Sequence, residues 1–224
     1  VLLPGLLGRQ FRTTRTIKYS ILWDNIRKEM RKMKKVFLLG DSIRIGYDLY
    51  VREKLSGEAE VYFTTDNCKY TQNLLWNLDM WLERECDPTT LDAVHWNAGL
   101  WDTLRQFGEE PLNTVEQYTQ MLERIYLRIK KFCPNAKQIF ATTTPIVESR
   151  FLEPDKRMRY NSDVVLYNRA ALEKLKDLDI SIDDLYSVAV KLDESCWSDM
   201  THLYTPIGKK ALGDAVLESI RKAL

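Results

Sequence analysis

The residues of this chain that could do chemistry lie far apart in the sequence. Ser42 follows Gly40 and Asp41 where a short apolar segment gives way to a helical pattern. A serine at such a turn can act as a nucleophile, with free backbone N–H groups beside it. Asp199 and His202 stand three residues apart near the C-terminus, a spacing that lets a carboxylate orient an imidazole base. Together these residue types could supply a nucleophile, a base and a carboxylate that orients the base.

Each of these signals has a structural explanation when it is taken alone. Asp and Ser are common helix N-caps, a lone His is common in surface loops, and Asn97 could be an ordinary turn residue. Asn97 could also donate its amide to a developing oxyanion, because it follows an apolar segment. Cys68 is an alternative nucleophile that would need a nearby base, and the other histidine, His95, is expected to be packed in the core.

The elements that must position these residues alternate between strand and helix. Helices of ten or more residues between short apolar runs indicate βαβ units, so we predict an α/β fold: a three-layer α/β/α sandwich with a five-stranded parallel sheet. In such sheets a site is expected beyond the carboxyl ends of the strands. The patterns predict strands over 36–39, 61–63, 93–96, 138–142 and 180–182, and helices over 44–55, 72–85, 114–132, 162–176 and 206–222.

Composition and charge exclude several classes of protein. The 33 Lys and Arg residues against 32 Asp and Glu give a net charge of +1, which argues against a broad nucleic-acid-binding surface. No uncharged run approaches the ~20 residues of a membrane span. Four cysteines without a CxxC pair argue against a zinc site and favour reduced thiols in a cytoplasmic protein. Secretion stays open because the chain does not begin with Met.

The N-terminal residues differ from the rest of the chain. Positions 1–35 hold ten basic residues and two acidic ones. Apolar residues recur at helical spacing and predict an amphipathic helix over 19–33, which could bind a membrane surface or a partner. The alternative is an upstream extension that precedes a natural start at Met33. We predict a basic amphipathic extension over 1–33 before a domain over 34–224, and membrane contact through it is not expected.

Together, the motifs resemble those of the SGNH hydrolase family, also called GDSL esterases. Gly40-Asp41-Ser42 resembles the family's first block, Asp199–His202 its last, and Tyr204–Gly208 the segment that follows the last block. Asn97–Asp102 resembles the third block of a bacterial subgroup. The resemblance covers residues 36–224 and implies the flavodoxin-like fold of this family.

The resemblance also implies a mechanism that needs no metal and no organic cofactor. Ser42 would be the nucleophile, His202 the base and Asp199 the residue that orients it. The backbone N–H groups of Ser42 and Cys68 and the amide of Asn97 would form the oxyanion hole. Cys68 stands where the family has a glycine, and a backbone donor survives there only if its φ is negative.

The resemblance implies a small-molecule ester as substrate and no nucleic acid. Without a long lid insertion, small acyl groups such as acetyl on a carbohydrate are expected. A thioesterase, a lysophospholipase-type acylhydrolase and a non-catalytic binding module on the same fold are alternatives. A flavin site is disfavoured because Ile43-Arg44-Ile45 stands where a phosphate loop needs small residues. Candidates for contact with the substrate are Arg44, Trp101, Asp102 and Trp197, with Arg150 as a further candidate for an anionic group.

Overall fold

The computed structural model describes residues 33–224. The predicted N-terminal extension, up to residue 32, therefore lies outside the described residues, and so does nearly all of the predicted helix over 19–33. The boundary between residues 1–33 and 34–224 stays a prediction. Residues Lys35–Leu224 form one compact unit.

The predicted five-stranded parallel sheet is confirmed, and a small second sheet accompanies it. The strands are β1 (Lys34–Leu39), β2 (Ala59–Phe63), β3 (Ala93–Asn97), β4 (Arg105–Gln106), β5 (Lys137–Ala141), β6 (Arg157–Met158) and β7 (Ile180–Asp183). The large sheet has the order β2-β1-β3-β5-β7. Leu39 pairs with Trp96, and Ala141 pairs with both Asn97 and Asp183. The central strands therefore end at one edge, where the predicted site residues follow them.

Helices cover both faces of the large sheet, as predicted. They are α1 (Ser42–Lys54), α2 (Thr71–Glu85), α3 (Val115–Phe132), α4 (Asn161–Leu175), α5 (Leu185–Ala189) and α6 (Pro206–Ala223). Helices α1, α5 and α6 pack on one face, and α2, α3 and α4 pack on the other. The ten predicted elements all form, with ends within two residues of the expected positions.

The short apolar runs form strands because they are buried on both faces. In β1, Val36 and Leu38 point into one hydrophobic cluster, whereas Phe37 and Leu39 point into the other. All four side chains are fully buried. A strand that contacts helices on both sides reads as a continuous apolar run rather than as an alternating one.

Two features near the site were missed by the sequence analysis. Strands β4 and β6 pair antiparallel in a two-residue ribbon, with Arg105 opposite Met158 and Gln106 opposite Arg157. Helix α5 spans five residues. Segments this short show no usable hydrophobic period. Within residues 33–224, no helix has the length and apolar character needed to cross a membrane.

Candidate active site

Ser42, His202 and Asp199 form a continuous chain of hydrogen bonds. His202 Nε2 lies 2.8 Å from Ser42 Oγ, and His202 Nδ1 lies 2.7 Å from Asp199 Oδ2. The serine stands at the start of α1, and the other two residues stand in the loop before α6. The fold therefore brings together three side chains separated by up to 160 positions in the sequence. In this arrangement His202 can accept the serine proton through Nε2 while Asp199 holds its Nδ1–H.

The loop that carries Asp199 and His202 is held by its own hydrogen bonds. Asp199 Oδ1 accepts the backbone N–H groups of Thr201 and His202, at 2.7 and 2.8 Å. The Arg150 guanidinium donates to the carbonyl oxygens of Trp197, Asp199 and Glu194. Arg150 therefore stabilises this loop, and its predicted contact with an anionic substrate does not fit the placement.

The pKa of Asp199 is lowered from its ordinary value. Burial of the carboxyl group acts against ionisation, but the hydrogen bonds from the His202 ring and from the two backbone N–H groups outweigh it. Asp199 is therefore ionised at neutral pH, as a carboxylate that orients a histidine must be.

The turn between β1 and α1 presents Ser42 at the edge of the sheet. Asp41 is the N-cap of α1, and its Oδ1 accepts the Ile43 N–H at 2.9 Å. Tyr204 Oη donates to the Ser42 carbonyl at 2.5 Å, and the Tyr204 ring lies 4.6 Å from the His202 ring between centroids. Tyr204 therefore contacts both the Ser42 backbone and the His202 ring.

Asn97 lies directly beside this turn. Its Nδ2 donates to Asp41 Oδ1 at 2.9 Å, and a Cβ on Gly40 would lie only 1.9 Å from Asn97 Oδ1. The glycine is therefore what allows the amide to approach the serine turn. Within residues 33–224, neither the second N–H of Asn97 Nδ2 nor the Ser42 backbone N–H has an acceptor. Both groups are available to a ligand.

Cys68 does not fit the role that the sequence analysis predicts for it. Its backbone N–H donates to the Gly40 carbonyl at 3.1 Å, so this N–H is already bound within the protein. The positive φ falls on the next residue, Lys69, at 54°, so Cys68 is not strained. Burial raises the pKa of the Cys68 thiol to about 12, which makes it a poor nucleophile at neutral pH.

A pocket of about 680 Å³ opens beside the serine and the histidine. Its walls come from the segment after β3, from the β4–β6 ribbon and from the loop before α6. Apolar side chains dominate the lining, with a cluster of cationic side chains at the ribbon. The lining residues include Ser42, His202, Leu100, Trp101, Leu104, Phe107, Phe151, Leu152, Lys156, Arg157, Arg159 and Met200.

Of the four residues predicted to contact the substrate, only Trp101 lines this pocket. Arg44 is fully buried and binds Asp48 at 2.7 Å and the Asp66 carbonyl at 2.7 Å. Trp197 is a core residue whose Nε1 donates to the Pro145 carbonyl. The predicted substrate contacts of Arg44 and Trp197 do not fit this placement, because both side chains are buried and form hydrogen bonds to groups inside the protein.

Asp102 is also a structural residue rather than a pocket residue. It is fully buried, and its Oδ1 accepts from the Thr71 N–H, the Thr71 hydroxyl and Asn113 Nδ2 at 3.2, 2.6 and 2.5 Å. Asp102 thereby joins the segment after β3 to the start of α2 and to the segment before α3. Burial raises the pKa of its carboxyl group to about 6.

His95 lies in the core, as expected. Its Nε2 is 2.9 Å from Asp183 Oδ2, and both side chains are buried. The most unusual residue in the pocket, Arg159, was not predicted from the sequence. It is 9% exposed and lies between β6 and α4. The surrounding polar segment carried no signal that one of its cations would be buried.

Comparison with solved structures finds the same fold in several hydrolases. A lipase/acylhydrolase from Enterococcus faecalis has a TM-score of 0.67 at 19% identity, over 85% of this chain and 96% of that one. A GDSL-like lipase from Bacteroides thetaiotaomicron has a TM-score of 0.63 at 16% identity, over 88% and 91%. A carbohydrate esterase family 3 protein from Talaromyces cellulolyticus has a TM-score of 0.63 at 15% identity, over 85% and 97%. No protein-family model and no curated protein matches the chain. The chain thus has the fold of the GDSL-like lipases and acylhydrolases.

Proposed function

We propose that this chain is a serine ester hydrolase of the SGNH family. The observation that carries the proposal is the hydrogen-bonded series from Ser42 Oγ through His202 to Asp199, at 2.8 and 2.7 Å. It lies on the wall of an open pocket that a small ester can enter. The shared fold with a lipase/acylhydrolase and a carbohydrate esterase supports the same reaction class.

The reaction proceeds in two steps. Ser42 Oγ attacks the ester carbonyl while His202 Nε2 takes its proton, and Asp199 stabilises the imidazolium that forms. The tetrahedral intermediate collapses, His202 returns the proton to the leaving alcohol, and an acyl-Ser42 ester remains. A water molecule then gives a proton to His202 and attacks this ester. When the second tetrahedral intermediate collapses, His202 returns that proton to Ser42 Oγ and the acid is released.

The negative oxygen of each tetrahedral intermediate needs donors that are free before the substrate arrives. The Ser42 backbone N–H, at the first turn of α1, and the Asn97 amide meet this requirement. Since the Cys68 N–H binds Gly40, the proposed oxyanion hole has two donors rather than three.

A small acyl group, with acetyl first, is the proposed acyl part, and a carbohydrate is the proposed alcohol. A Trp101 ring on the pocket wall suits stacking on a sugar. The carbohydrate esterase with the same fold adds support.

A specific observation favours a second candidate, hydrolysis of longer acyl chains as in a thioesterase or lysophospholipase. Two large apolar side chains at the pocket, Phe107 and Leu152, are 73% and 90% exposed. Such residues could hold an alkyl chain as it leaves the pocket.

The test compares hydrolysis of p-nitrophenyl acetate, butyrate and octanoate by the wild type and by Ser42→Ala. We expect activity in the wild type that falls by at least about 10⁴-fold in the variant, because the nucleophile is lost. The highest kcat/KM on acetate supports a small acyl group, and the highest on octanoate supports the second candidate.

Labelling with a fluorophosphonate provides the control for a narrow substrate range. If the wild-type protein hydrolyses none of the three esters but is labelled at Ser42, its serine is activated and its substrate is an ester other than these three. A wild-type protein that is neither active nor labelled is a binding module, which would contradict the proposal.

A further inference from the structure

Arg159 is a cation buried in the wall of the pocket that holds Ser42 and His202. It follows β6 and is only 9% exposed. Its Nε donates to the Leu100 carbonyl at 2.6 Å, and its guanidinium carbon lies 5.7 Å from the centre of the Trp101 ring. One edge of the guanidinium is thus fixed against the segment after β3.

No carboxylate of residues 33–224 forms an ion pair with Arg159, and no acceptor there takes a hydrogen bond from its two Nη groups. The other deeply buried arginine, Arg44, binds the carboxylate of Asp48 at 2.7 Å. Burial of a cation without a partner is costly, so such groups are rare unless a ligand completes them. Desolvation lowers the pKa of Arg159 to about 10, which leaves it charged at neutral pH.

The surroundings of Arg159 add to this positive charge. Lys156 and Arg157 line the same pocket, and Glu153 is the carboxylate among its lining residues. Glu153 pairs with Lys156 at 2.7 Å, so it neutralises that lysine and not Arg159. The buried Asp41 carboxylate influences Arg159 through its charge but forms no ion pair with it; its Oδ1 binds Asn97 and the Ile43 N–H, and its Oδ2 has no partner among the described residues.

We propose that Arg159 is a specificity-determining residue that binds an anionic group, a carboxylate or a phosphate, on the ester that Ser42 attacks. The planar guanidinium suits such groups because its Nη atoms can donate two hydrogen bonds to one anion. This inference rests on the proposed esterase function and adds the charge of its substrate. The anion belongs either to the acyl part or to the alcohol part of the ester.

The test measures kcat/KM on pairs of esters in which one member carries an anionic group and the other does not. Mono-p-nitrophenyl glutarate against p-nitrophenyl valerate places a carboxylate on the acyl side. On the alcohol side, 4-acetoxybenzoate is compared with its methyl ester, and 4-acetoxyphenyl phosphate with phenyl acetate. We expect the wild type to prefer the anionic member of at least one pair, and the pair concerned identifies where the anion lies.

In Arg159→Met the preference in kcat/KM for the anionic ester should fall by about 10- to 100-fold, the effect of losing a charge-assisted hydrogen-bond pair. Arg159→Lys should keep part of it, because the charge remains and the second donor is lost. Arg221→Met is the matched control, because Arg221 is an arginine outside the pocket that pairs with Glu58 at 2.7 Å. It should leave the preference unchanged.

A purely structural role for Arg159 would lower kcat/KM equally on neutral and anionic esters, and an unchanged preference would overturn the proposal. Failure of the esterase function gives a different result, since the wild type would then hydrolyse neither member of any pair. In that case, calorimetry with benzoate and with phenyl phosphate tests whether Arg159 binds an anion. Binding to the wild type that is lost in Arg159→Met supports the anion site, and equal or absent binding refutes it.

Discussion

Asn97 has a structural role at the site and is also the proposed side-chain donor of the oxyanion hole. Its amide donates to Asp41 Oδ1 and is 4% exposed. Burial raises the pKa of Asp41, and the hydrogen bond from Asn97 is the largest effect opposing that rise. Asn97 therefore stabilises the N-cap of α1 while its second N–H remains available for an oxyanion.

Asn97→Ala should lower kcat on p-nitrophenyl acetate by about 10²- to 10³-fold, the usual effect of removing one oxyanion donor. KM should change little, because the donor acts mainly on the negative charge of the transition state. Steady-state kinetics checks this, with circular dichroism to show that the variant folds. Near-wild-type kcat in a folded Asn97→Ala protein would remove Asn97 from the oxyanion hole.

Ser42, Asn97, Asp199 and His202 were predicted from their residue types together with the resemblance of their motifs to a known family, and the structure brings Ser42, His202 and Asp199 within hydrogen-bond distance of one another. Residue types did not predict that Arg44 and Arg159 are buried. The spacing of Arg44 and Asp48 by four positions in a helix was an available signal for an internal ion pair. Arg159 had no such signal, since its burial depends on a ribbon whose strands are two residues long.

At the scale of elements, the β1–α1 turn controls the position of Ser42, the proposed nucleophile. Gly40 follows the last residue of β1, Asp41 caps the helix, and Ser42 is the first helical residue. Since Asn97 ends β3, the neighbouring strand, the site depends on close approach between these two strand ends. A Cβ on Gly40 would lie 1.9 Å from Asn97 Oδ1 and 2.9 Å from Arg44 Cβ. There is therefore no room for a side chain between the two strand ends.

Gly40→Ala should therefore reduce activity and stability together. The added methyl group must displace the Asn97 amide, so we expect kcat to fall by at least about tenfold and the free energy of unfolding to fall by about 1–3 kcal/mol. Urea denaturation and ester hydrolysis measure the two effects.

Gly57→Ala is the matched control for this substitution. Gly57 also has a positive φ, of 85°, but a Cβ there meets no atom within 4 Å. It should cost about 1 kcal/mol of backbone strain with kcat unchanged. If Gly40→Ala behaves like Gly57→Ala, the close approach does not position Asn97.

At the scale of the whole molecule, the sequence predicted the large sheet and both helical layers because each central strand is a short apolar run and each long helix has its own hydrophobic period. It did not predict the pocket, whose walls come from the β4–β6 ribbon and from loops. The buried polar network around Asp102 was missed for a similar reason. Its members, Thr71, Asp102 and Asn113, lie in three separate segments and meet only in the folded chain.

The Asp102 network predicts how the stability of the fold depends on pH. The pKa of Asp102 is about 6 in the folded protein, whereas an unfolded chain has the ordinary value near 3.9. The folded state therefore holds a proton that the unfolded state has released over this interval. By linkage, the free energy of unfolding should fall by up to about 3 kcal/mol from this group as pH rises from ~4 to ~7.

Asp102→Asn removes this ionisation and keeps an oxygen that can accept from Thr71 and Asn113. We expect the stability of the variant relative to the wild type to rise with pH between ~4 and ~7, as measured by urea denaturation at several pH values. Asp214→Asn is the control: its pKa is lowered mainly by the hydrogen bond from Lys210, so its removal should not produce a relative gain over this interval. Parallel stability curves for the wild type and Asp102→Asn would show that Asp102 does not hold its proton in the fold. The segment after β3 would then be anchored to α2 by an ionised carboxylate.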